Sequence, residues 1–94
     1  MGIVIAICDD TELDLKLLDM MLKEYCRDRK IPAEIYPFTS GHDLLQSKKN
    51  FDIIFMDIYL KGESGIQIAR QYSGAHTQIV FASASREHAI EAFN

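Results

Sequence analysis

Apolar and polar positions alternate in blocks along the chain, and the blocks have two different periods. Ile3-Val4-Ile5-Ala6-Ile7-Cys8 is a short apolar run rich in β-branched residues. Phe51-Asp52-Ile53-Ile54-Phe55-Met56 is a second, with its apolar core from Ile53 to Met56. Such runs predict strands buried on both faces of a sheet. Ala33 to Phe38 and Gln78 to Ala82 predict two more strands. Pro37 cannot donate to a ladder, which places the Ala33–Phe38 strand at a sheet edge.

Between these runs the period lengthens to that of a helix. From Thr11 to about Arg29, Leu13, Leu17, Met20 or Met21, and Tyr25 recur at helical spacing, and Leu15, Leu18 and Leu22 widen the stripe. The spacing makes Met20 and Met21 core residues, with Met56. Thr11 with Asp14 reads as a capping box, and Ile31-Pro32 ends the helix. Ser40 with Asp43 is a second capping box, opening a helix from His42 to about Ser47. Residues 58 to 63 read as a loop. Ser64 or Gly65 opens a third helix to about Tyr72, and Ser85 or Arg86 opens a fourth that runs to Asn94. The order is βαβαβαβα. It implies a parallel sheet with right-handed crossovers and helices on both faces.

Ninety-four residues make one small domain, 1–94. The net charge of −4 argues against this domain gripping DNA or an anionic membrane by itself. No stretch approaches the roughly 20 apolar residues that span a bilayer. No basic segment precedes the first strand, so no secretory signal is expected. Cys8 and Cys26 have no metal-ligand spacing and read as reduced thiols of a cytoplasmic protein. His42, His76 and His88 lack ligand spacing and read as surface histidines.

The two central strands both end in carboxylates. Asp9-Asp10 follows the first, and Asp57 follows the third. In the strand order 2-1-3-4 these strands are neighbours, so Asp9, Asp10 and Asp57 converge outside their carboxyl ends, where open α/β sheets place their sites. Carboxylates so close repel unless a cation joins them. A hard divalent ion with oxygen ligands, Mg²⁺, answers that need. An Asp beside Mg²⁺ can also act as a nucleophile toward phosphorus. Ser83 and the backbone N–H of Ala84, after the fourth strand, are placed to bind a phosphoryl oxygen.

With Asp9-Asp10, Asp57, Gly65 and Ser83-Ala84 in this arrangement, the chain resembles, over its whole length, the receiver domain of two-component response regulators. The resemblance implies a flavodoxin-like doubly wound sheet. It makes Asp57 the phosphoacceptor for a sensor histidine kinase, and it completes the Mg²⁺ site of Asp9, Asp10 and Asp57 with the backbone carbonyl of Tyr59. Ser83 becomes the phosphate-sensing hydroxyl. Ser85-Arg86-Glu87-His88-Ala89-Ile90-Glu91-Ala92-Phe93 is similar to regulators whose output is a LytTR-type DNA-binding domain, as are Tyr36 to Gly41. The implied module is a switch, not a turnover enzyme, acting on transcription through an output domain outside this chain.

The receiver pattern continues into a fifth strand and a fifth helix, with a Lys after that strand. No Lys here aligns with it, since Lys61 lies in another loop. The expectation is therefore a C-terminally incomplete sheet whose fourth strand is an open edge that invites self-association. Two other readings compete. A pseudo-receiver would keep the shape as an interaction module without phosphorylation. A phosphohydrolase with Asp9 as nucleophile would want a second Asp where Thr11 stands.

Overall fold

In a computed structural model, described for residues 2–60, 63–72, 74 and 76–81, the apolar runs form one parallel sheet. Its strands are β1 (Ile3–Cys8), β2 (Ala33–Phe38), β3 (Ile53–Met56) and β6 (Gln78–Phe81), in the order β2-β1-β3-β6. Every pairing in this sheet is parallel. The helices between them are α1 (Glu12–Asp28), α2 (Gly41–Gln46) and α3 (Gly65–Arg70). The α/β fold and the strand order are those expected from the sequence. Pro37 lies in the edge strand β2, where a missing N–H costs no ladder bond.

Alternation along the strands splits the core between the two faces of the sheet. Ala6, Cys8, Ile54 and Met56 point to the face that also buries Leu44 of α2, Phe51 and Leu60, with Ile68 and Tyr72 packed beside them. Phe51 meets Phe38 edge-on, with ring centroids 5.9 Å apart. Ile5 and Ile7 point to the opposite face and are covered by Leu15 and Cys26 of α1. Neither cysteine is in a disulfide, and both are buried, one in each cluster.

Three expectations are corrected. First, β3 is not buried on both faces. Ile54 and Met56 are fully buried, but Ile53 and Phe55 are only half-buried. The reason is that α1 packs over β1 and β2. Second, α1 turns a different stripe inward. Leu15 and Cys26 are buried and Leu18 and Leu22 half-buried, whereas Leu13, Leu17, Met20, Met21 and Tyr25 are exposed. Met20 and Met21 are therefore surface residues, and Met56 alone of the three is core. Third, the segment after β3 is not a plain loop. β4 (Tyr59–Leu60) and β5 (Glu63–Ser64) pair antiparallel.

The helix termini divide as well. Ser40 caps α2, its hydroxyl accepting from the Asp43 N–H at 3.0 Å. Thr11 stands at the N-cap of α1 but makes no side-chain cap bond. Ser83, Ala84 and the helix expected from Ser85 to Asn94 lie outside the described residues. Among the described residues, no helix is long and apolar enough to cross a membrane.

Candidate functional site

Backbone bonding continues past the strands and fixes the acidic residues at their ends. The Asp9 N–H donates to the Phe38 carbonyl at 3.1 Å, and the Asp57 N–H donates to the Cys8 carbonyl at 3.0 Å. Each acidic residue is thus one ladder step beyond its strand, held by the neighbouring strand. Asp9 then turns the chain into α1. Its Oδ1 accepts from the Thr11 N–H at 2.9 Å, an Asx turn. That bond takes up the N–H of the N-cap residue itself.

Asp9, Asp10 and Asp57 come together as the sequence predicts. Each offers one carboxylate oxygen, and these three oxygens lie within 4.8 Å of one another. Asp9 is the most enclosed, with 7% of its surface exposed, and Asp10 is the most open. Burial raises the Asp9 pKa above the usual carboxylate value. The Thr11 N–H opposes this, and the nearby charges of Asp57, Asp14 and Asp10 add to it. A cluster that resists its own full ionisation is one that a cation would relieve. The donor set is all oxygen, which suits a hard divalent ion such as Mg²⁺.

Gly65 positions the far side of the site. A Cβ there would collide with the Asp57 carbonyl oxygen and sit 3.0 Å from Ile58 Cα. The Gly65 N–H also donates to the Ile58 carbonyl at 2.9 Å. The start of α3 therefore presses directly on the peptide that follows Asp57. Tyr59 lies two residues past Asp57, in β4, paired with Ser64. Sequence reasoning missed this pairing, and the only local hint was Gly62, a residue type favoured in turns, between Tyr59-Leu60 and Glu63-Ser64. It also missed Asp52, whose Oδ2 accepts from the Val4 N–H at 2.7 Å and aligns β3 beside β1.

No known family profile matches the chain, and no curated protein matches it. Solved structures do. The BeF₃-activated receiver domain of DrrB superimposes with a TM-score of 0.73 at 23% identity, covering 99% of this chain and 77% of that one. The response regulator DrrB, an OmpR/PhoB homologue from Thermotoga maritima, gives 0.72 at 23% identity, with 99% of this chain matched to 42% of that chain. The receiver domain of the response regulator Ssk1 from Saccharomyces cerevisiae, solved with the histidine phosphotransfer protein Ypd1, gives 0.57 at 23%, covering 97% and 73%. Sheet order, strand direction and these superpositions agree that the chain has the flavodoxin-like α/β fold of response-regulator receiver domains.

Proposed function

We infer that this chain is a phosphoacceptor receiver domain and that Asp57 is the residue phosphorylated. The observation that carries this reading is the meeting of Asp9, Asp10 and Asp57 at the carboxyl edge of the two central strands. Asp9, Asp10 and Asp57 would hold Mg²⁺, with the Tyr59 carbonyl as a further ligand. When bound, the ion supplies charge neutralisation for an anionic phosphoryl group. An Asp57 carboxylate oxygen forms the new bond to phosphorus as the bond from phosphorus to a histidine nitrogen breaks. The leaving imidazole keeps the bonding pair and takes a proton. Asp9, held by the Thr11 N–H, keeps the approach polar and fixed while this happens. The backbone clamp on Asp57 reduces its freedom to that of one side chain, which favours reaction by positioning.

Ser83 and Ala84 are assigned the phosphate-sensing hydroxyl and a phosphoryl-binding N–H by the resemblance. The donor is a sensor histidine kinase or a phosphotransfer protein of the kind that Ypd1 is named as. The output is a DNA-binding domain of LytTR type outside these residues, and the compartment is the cytoplasm. The module stores a state and does not turn over a substrate.

The test is an intact-mass spectrum after incubation with a small phosphodonor and Mg²⁺. One added phosphoryl group is expected, absent in Asp57→Asn and absent without metal. An unchanged mass on the folded protein would sink this reading in favour of a phosphorylation-independent interaction module.

A further inference from the structure

The segment after Asp57 is anchored on both sides of Tyr59. On one side, the Gly65 N–H donates to the Ile58 carbonyl at 2.9 Å. On the other, Leu60 pairs with Glu63, and its side chain is buried in the cluster of Ala6, Cys8, Ile54 and Met56.

The register decides where the Tyr59 carbonyl points. In an antiparallel pair, hydrogen-bonded and non-hydrogen-bonded couples alternate. The Gly65–Ile58 bond lies one step outside the Tyr59–Ser64 couple. That couple is therefore a non-hydrogen-bonded one, and the Leu60–Glu63 couple is hydrogen-bonded. The Leu60 N–H thus points at β5. A trans peptide is planar, with its C=O directed opposite its N–H. The Tyr59 carbonyl shares that peptide, so it points away from β5 and takes no part in the ladder between the two strands. A side chain held in the core thereby sets the direction of a main-chain oxygen two residues past Asp57.

We propose that Leu60 is a positioning residue of the ion site, and that the β4–β5 pair is the brace through which it aims the Tyr59 carbonyl. The inference rests on the reading of Asp9, Asp10, Asp57 and that carbonyl as Mg²⁺ ligands, and adds what holds the last of them. The three carboxylates adjust by side-chain rotation. The carbonyl cannot turn without its strand, so loosening β4 costs ion affinity even where every carboxylate is intact.

Calorimetric titration with Mg²⁺, beside metal-free urea unfolding, tests it. Leu60→Ala should weaken Mg²⁺ binding by about tenfold, the loss usual for a residue that orients a metal ligand. Leu60→Met should keep the affinity. Leu44→Ala is the control, since it empties the same core cluster and lowers stability but should leave the affinity unchanged. Glu63→Pro removes the N–H that bonds the Leu60 carbonyl and changes no residue of the core cluster, and it should weaken binding as well. In the wild type, Mn²⁺ should broaden the carbonyl-carbon signal of Tyr59, and less so in Leu60→Ala and Glu63→Pro. Unchanged affinity in both, with binding still lost in Asp57→Asn, would overturn the brace and leave the acidic site standing. An equal loss in Leu44→Ala would overturn it too, because any loosened core would then do the same. A wild-type chain that binds no Mg²⁺ would overturn the ion site and this proposal together.

Discussion

Asp9 carries the main conflict in the molecule. It is buried beside like charges, so its carboxyl holds a proton more tightly in the folded chain than in the unfolded one. The sign of the linkage follows. The folded state binds more protons between the ordinary value of 3.8 and the raised value, so stability falls as pH rises through that window. Above it, the cost is fully present. Asp9→Asn should therefore raise the melting temperature at neutral pH in the absence of divalent ions, and the gain should vanish below about pH 4. Mg²⁺ should raise the melting temperature of the wild type more than that of Asp9→Asn. An equal rise in both would deny Asp9 a part in binding the ion. Gly65 poses a steric demand instead. Gly65→Ala places a methyl against the Asp57 carbonyl and should cost about 1–3 kcal/mol in denaturant unfolding, with α3 displaced from the site.

At the scale of elements, the two candidate caps make a controlled comparison. Ser40→Ala removes a cap bond and should cost about 1 kcal/mol. Thr11→Ala removes none, because the Thr11 hydroxyl makes no cap bond, and should cost a few tenths at most. The sequence could not separate these cases, since Ser40/Asp43 and Thr11/Asp14 have the same spacing. What differs is that the Ser40 hydroxyl takes the Asp43 N–H, whereas the Thr11 side chain makes no such bond. Helix α1 was legible as a helix but not in its orientation. Leu13, Leu17 and Met20 form one stripe at helical spacing, and Leu15, Leu18, Leu22 and Cys26 form another. Periodicity alone cannot rank two apolar stripes. The sheet chose the second, and so left the first in water. The β4–β5 pair was illegible for a simpler reason, because two-residue strands are too short to show a period.

At the scale of the whole molecule, the fold was legible because its signals agree. Each strand run ends in turn or carboxylate residues, each crossover is long enough for a helix, and Pro37 marks an edge. The acidic site was legible for the same reason, since parallel neighbours must end on the same side. The sheet also divides the core into two clusters that share strands but not side chains. Leu44→Ala, on one face, should cost about 2–5 kcal/mol, and Ile7→Val, on the other, about 0.5–1.5. Measured by denaturant unfolding, the double variant should equal the sum to within about 0.5 kcal/mol. A larger coupling would mean that the strands pass strain from one face to the other.

The two ladder bonds that reach beyond the strands, from Asp9 to Phe38 and from Asp57 to Cys8, have a further consequence in time. Most loop amides exchange their hydrogens with solvent through small local openings. These two belong to the sheet, so releasing either means parting β1 from a neighbour. Their exchange should be as slow as that of the buried amides of Ile7 and Ile54, and a destabilising core substitution should speed all four together. The acidic edge would then persist until the sheet itself comes apart.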